Sequence, residues 1–186
     1  DHTKRQVFWL SPELEIDKTI KPLKADRWAM WFRGIDISTQ AVKKSGLGAA
    51  AYYQQHVAEL IETSGEDALI VLDDFPDGAK ALVPLLRKAY NTMLRTARHR
   101  VTSVISLVHS YASGKNTSQA LQSNKFVVFF PRSQQNRMIM FCRDHLMMDM
   151  REAKELVLRF AKLDRWLVIS MHSPVCMFCS KYLLLL

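Results

Sequence analysis

Two adjacent carboxylates, Asp73 and Asp74, directly follow the unbroken apolar run 68–72 (ALIVL). A buried strand is a rigid mount, and rigidity matters because positioning supplies much of catalysis. A carboxylate at such a strand end can help hold the Mg²⁺ that neutralises the phosphates of ATP, and a second can orient or deprotonate the attacking water. Asp73 is the candidate for the Mg²⁺ role and Asp74 for the water. The plain alternative is an acidic pair that caps a strand and opens the loop Phe75-Pro76-Asp77-Gly78.

His109 and Ser110 end a later apolar run, 101–108 (VTSVISLV). A polar group there can hydrogen-bond a γ-phosphate or the attacking water; otherwise it is a histidine satisfied at a strand end. Arg95, Arg98, His99 and Arg100 cluster just before that run. An arginine reaching a neighbouring subunit's γ-phosphate stabilises transition-state charge. The same cations could instead contact a nucleic-acid backbone, or form a solvated basic turn. Cys176 and Cys179 make a lone C-x-x-C, with Cys142, His145 and His172 as the remaining thiol and imidazole candidates. A zinc site needs about four ligands, so two plain thiols are the simpler reading.

The elements that must position these groups follow from periodicity. Residues 6–10 (QVFWL) form a strand stopped by Ser11-Pro12, and 28–35 (WAMWFRGI) form a strand or a short helix. Residues 49–63 have helical spacing, with Ala50, Tyr53, Val57, Leu60 and Ile61 on one face. A second helix covers 85–97, with Pro84 in its first turn and Leu86, Tyr90, Met93, Leu94 and Ala97 inside. Strands follow at 101–108, 125–130 (KFVVFF) and 166–170 (WLVIS), with helices at 133–148 and 149–163 between the last two. In the later helix Ala153, Leu156, Val157 and Phe160 form the stripe.

Strands alternating with helices predict an α/β fold, a mostly parallel sheet flanked by helices. Residues 1–172 are expected as one domain, followed by a short apolar tail at 173–186. Ligands on such sheets bind beyond the carboxyl ends of the strands, which selects Ser11, Asp73, Asp74, His109, Ser110 and Pro131.

The 186 residues carry a formal net charge of +8, 48% hydrophobic and 24% charged residues. This is ordinary globular usage, and the basic balance favours polyanion partners. The odd, sparse cysteines argue against a disulfide-stapled secreted domain. The polar start shows no signal peptide, and no apolar run approaches the roughly 20 residues of a membrane span. The expected setting is cytosolic, nuclear or virion-associated, without a membrane partner.

A phosphate-cradling G-x-x-x-x-G-K-[ST] loop is missing from the sequence. Ser45-Gly46-Leu47-Gly48 has no lysine after its glycines, and Ser113-Gly114-Lys115-Asn116 lacks the earlier glycine and the following hydroxyl residue.

In order, the segments VFWLSP with Asp17, LIVLDDF, LRTARHRVTSVISLVHSY and LQSNKFVVFF resemble the genome-packaging ATPases of large DNA viruses and related mobile elements, in the FtsK–HerA superfamily. The resemblance spans roughly residues 7–170. It implies a P-loop NTPase-like core missing its first strand and P-loop. It gives Asp73 and Asp74 the Walker B roles with Mg²⁺ and ATP, His109 a sensor role usually held by glutamine, and Arg98 the part of a trans-acting finger. Arg95 and Arg100 become DNA contacts. The implied partners are double-stranded DNA and further copies in a ring. Such a core would turn over ATP only with the missing loop supplied.

Two other classes fit the residues. A degenerate copy of the fold could bind DNA or assemble with active subunits. A Mg²⁺-dependent nuclease could use Asp73 and Asp74 with Asp36 or His109.

Overall fold

The computed structural model describes residues 6–18, 20, 22, 31–58, 68–96, 102–107 and 125–186. The chain forms two compact units, residues 1–110 and 111–186.

Unit 1 is built on a four-stranded sheet of order β2-β1-β3-β4, parallel throughout. Its strands are β1 (Val7–Ser11), β2 (Phe32–Asp36), β3 (Leu69–Asp73) and β4 (Ser103–Leu107). The two central strands are the most apolar, as burial on both faces requires. Leu10, Ile70, Val71 and Leu72 are all buried. Helix α1 (Thr39–Lys44) is capped by Ser38, whose hydroxyl accepts the Ala41 N–H at 3.1 Å. Helix α2 (Ala49–Tyr53) runs into a π-helical turn, Gln54–Ala58. Helix α3 (Val83–Thr96) buries Leu86, Ala89, Tyr90 and Met93.

Unit 2 is antiparallel. Strands β5 (Phe126–Phe129), β6 (Leu167–Ser170), β7 (Cys176–Phe178) and β8 (Leu183–Leu185) pair in that order. Helices α4 (Gln135–Leu146) and α5 (Met150–Leu163) bury Met138, Phe141, Cys142, Ala153, Val157 and Phe160 in a core shared with Phe129, Leu167, Ile169 and Met177. Asp149 starts α5 with a capping box: its carboxylate accepts the Arg151 and Glu152 N–H groups, and Glu152 reaches back to the Asp149 N–H. Asp164 ends α5 and accepts the Ser180 N–H at 3.0 Å and the Ser180 hydroxyl, tying the helix to the β7–β8 turn.

The α/β class and the parallel sheet are present, but the division of the chain differs from the expected 1–172 domain with a tail. Strands β5 and β6, expected in the parallel sheet, belong to the second, antiparallel one. Residues 173–186 are no tail, because β7 and β8 complete that sheet. Hydrophobic runs of four or five residues do not encode strand direction, so the sequence could not separate the two sheets. Among the described residues no helix is long and apolar enough to cross a membrane.

Candidate functional site

The carboxyl ends of the strands of unit 1 finish level with one another. Ser11 pairs in register with Asp36, Leu10 with Leu72, and Asp73 with Leu107. Asp36, Ser11 and Asp73 therefore stand abreast on one face at the carboxyl edge of β2, β1 and β3. Asp36 and Asp73 are separated by β1, which puts their Cα atoms roughly 10 Å apart.

Asp74 continues the edge with a sharp turn. Its backbone is left-handed, φ 43° and ψ 35°, a region that aspartate tolerates better than most residues. Its N–H donates to the Leu107 carbonyl at 3.0 Å, and its own carbonyl accepts the Asp77 N–H at 2.8 Å. The second bond closes a single 3₁₀ turn, Phe75–Asp77. Phe75 is buried against Tyr90 of α3, ring centroids 5.5 Å apart. The Ala79 N–H donates to the Ile37 carbonyl at 2.9 Å. A Cβ on Gly78 would lie 3.1 Å from that carbonyl and 3.2 Å from the Phe75 carbonyl. The loop is thus held by β4, by α3 and by the segment after β2. Both acids are half-buried, so water still reaches them.

The other polar groups on this edge have structural work. Ser11 is 1% exposed and its hydroxyl accepts the Glu13 N–H at 3.1 Å. The Asp36 carboxylate accepts the Ser38 N–H at 2.8 Å, and its carbonyl accepts the Tyr52 hydroxyl at 2.6 Å. Burial, with the Asp36 charge second, pushes the Tyr52 phenol above its usual range.

His109, Ser110, Arg98 and Arg100 lie outside the described residues. Pro131 follows a strand of the other sheet and does not belong to this edge. Arg95 is exposed in the last turn of α3. It shares the solvent-facing side of α3 with Pro84, Arg87, Lys88, Asn91 and Thr92. Sequence reading missed Arg87 and Lys88. The signal was there: positions 87, 88, 91, 92 and 95 share one helical face, and residues 83–96 hold no acid.

Among the described residues, no three His, Cys, Asp or Glu side chains gather as a metal site would need. A zinc set of Cys176 and Cys179 with Cys142, His145 or His172 is therefore not assembled, and Asp36 does not join Asp73 and Asp74 around a cation. Cys142 is fully buried in the unit 2 core, which pushes its thiol up to about 11. Asp73 and Asp74 do supply the hard oxygen donors that Mg²⁺ takes, one or two at a time with its waters retained.

No family model, no curated protein and no solved structure matches this chain.

Proposed function

We propose that unit 1 is the acidic half of a nucleotide-hydrolysing core of the genome-packaging type, with Asp73 toward Mg²⁺ and Asp74 toward the attacking water. The observation that carries this reading is the acid pair itself. It ends a buried parallel strand, and its loop is pinned on three sides at the carboxyl edge, where ligands of such sheets bind. Two further observations support it. The segments that resemble the strand after the P-loop helix, the Walker B strand and the sensor strand are the neighbours β1, β3 and β4. Among the described residues no strand pairs with the outer side of β4, where Ile105 and Leu107 are 45% and 42% exposed. A sheet edge of this kind can accept another strand. The segment LQSNKFVVFF departs from the resemblance, since β5 lies in the antiparallel sheet.

Bound Mg²⁺ would neutralise nucleotide phosphate charge beside Asp73. Asp74, held on the turn, would orient water and take its proton. The test is Mg²⁺-dependent ATP turnover of this chain beside a form extended upstream in its native reading frame, with Asp74→Asn in both. The expected result is turnover in the extended form alone, lowered on the order of 10²-fold or more by the substitution. Silence in both forms would overturn the reading.

The basic, acid-free outer face of α3 favours a second reading, a non-catalytic module binding double-stranded DNA. Arg87, Lys88 and Arg95 place three charges on one exposed helix face, and none of them makes an ion pair among the described residues. Binding through them would weaken steeply with salt, and each Arg or Lys→Gln change would lower the salt slope by about one. Salt-insensitive binding, or slopes unaffected by the substitutions, would refute it.

A further inference from the structure

The charges of residues 125–186 are sorted by position. Ten Lys and Arg stand against five Asp and Glu. One end of the unit 2 sheet gathers the close of β5, the start of β6, the close of β7 and the start of β8, since Phe129 pairs with Leu167, Val168 with Phe178 and Phe178 with Leu183. Helix α4 starts there, after β5, and α5 finishes there, before β6. These segments carry Arg132, Arg137, Arg159, Lys162, Arg165 and Lys181, all exposed, and one acid, Asp164. Contacts fix the grouping. The Arg132 guanidinium donates to the Ala161 carbonyl at 3.1 Å, and the Arg159 guanidinium lies 4.5 Å from the centre of the Tyr182 ring. Asp164 is already engaged, because its carboxylate accepts the Arg165 N–H at 2.7 Å, the Ser180 N–H at 3.0 Å and the Ser180 hydroxyl. Among the described residues none of the six cations pairs with a carboxylate. The other half of the unit is balanced, four cations against four acids. There Arg143 pairs with Asp144 at 2.7 Å and Arg151 with Glu155 at 3.1 Å.

We propose that this basic end of unit 2 binds the phosphodiester backbone of a nucleic-acid duplex, independently of either reading of unit 1. Cations do favour the carbonyl end of a helix such as α5. That effect fades within one turn, and the amino end of α4, of opposite sign, lies at the same end of the sheet. A single sign gathered at one end makes a field that a mixed surface avoids. The preceding segment, residues 111–124, adds no acid to discharge it. Four of the six cations are arginines, whose planar forks match phosphate oxygens. Arg132 and Arg159 are already held, by Ala161 and by the Tyr182 ring, so less freedom is lost on binding. A duplex carries one charge per about 1.7 Å of its axis, a density suited to a rigid patch roughly 15 Å across, three strand spacings. The cations stand on strand ends and helix ends, and not along an amphipathic helix that a bilayer would take up.

The test is fluorescence anisotropy of the full chain with a labelled DNA duplex two helical turns long, from about 50 to 200 mM salt. The expected Kd is roughly 1–100 μM, with a log–log salt slope of about −5, the value for six phosphate contacts. Lys162→Gln together with Lys181→Gln should weaken binding about tenfold and lower the slope by about two. Lys125→Gln together with Lys154→Gln removes the same charge from the other half of the unit and should leave affinity and slope nearly unchanged. Changes on the α3 face leave Lys162 and Lys181 in place, so the two surfaces fail separately. If the paired changes unfold the chain, protection in the unaltered protein decides: the duplex should shield Lys162 and Lys181 from acetylation and leave Lys125 and Lys154 reactive. Equal losses from the two pairs, binding that ignores salt, or tighter binding to a single strand of the same length would overturn the proposal. So would no binding to the duplex, with or without binding to phosphatidylserine vesicles.

Discussion

Asp74 carries two demands at one position, a left-handed backbone and a carboxylate at the sheet edge. The demands can be separated by substitution. Asparagine accepts positive φ as readily as aspartate, so Asp74→Asn meets the backbone demand while removing the charge, and its cost reads the carboxylate alone. Asp74→Val puts a β-branched residue at φ 43° and should cost about 1–3 kcal/mol. Equal losses from both changes, measured by denaturant unfolding, would show that the carboxylate and not the backbone holds the turn. Tyr52 gives a second, titratable handle. Its folded phenol ionises above the unfolded value of 10.0, so its contribution is fully present below pH 10 and is lost as pH rises through the folded value. Tyr52→Phe should flatten that alkaline decline, and should cost about 1 kcal/mol at neutral pH through the lost bond to the Asp36 carbonyl.

Elements hold the site through close approaches that composition does not announce. Gly78 has an ordinary φ of −64°, so its glycine is required by space. A methyl group there meets two carbonyl oxygens of the backbone, which cannot step aside as a flexible side chain could. Gly78→Ala should therefore destabilise unit 1 by about 1–3 kcal/mol and loosen the acid loop, read as faster amide exchange at Asp74 and Asp77. In unit 2, the hydrogen bond from Ser180, with backbone N–H groups assisting, holds the Asp164 carboxyl below its usual range. That stability is present above pH 3.8 and fades as pH falls through the folded value. Asp164→Asn should remove this part of the acid sensitivity, which an acid titration followed by circular dichroism would register. Helix faces were legible where spacing was regular. In the stripe of α5, Ala153, Val157 and Phe160 are buried as the period predicts, with Leu156 half-buried beside them. Of the face read over 49–63, Val57 is buried as its spacing predicts, Leu60 and Ile61 lie outside the described residues, and the first two positions differ because the π turn at Gln54–Ala58 inserts a residue. It buries Tyr52, Val57 and Ala58, leaving Ala50 exposed and Tyr53 half-buried.

At the scale of the molecule, the readable part was the part with strong local grammar. ALIVL followed by two acids announced a buried strand and its polar end, and both are present. The runs KFVVFF and WLVIS announced strands without saying which sheet, and the short β7 and β8 were invisible because three-residue strands carry no period. Two cores result, one around Leu10, Ile70 and Leu72, the other around Phe141, Phe160 and Ile169. Each carries its own cavity cost. Phe160 is fully buried and meets Tyr182 edge to face at 5.9 Å, so Phe160→Ala should cost about 3–5 kcal/mol. Leu72→Ala in the other core should cost about 2–5 kcal/mol. Amide exchange locates the damage. Phe160→Ala should strip protection from residues 125–186 and spare β1 and β3, and Leu72→Ala should do the reverse. Loss of protection across both sheets from either change would mean that the two cores open as one cooperative body, and the division at residue 110 would then have no energetic meaning.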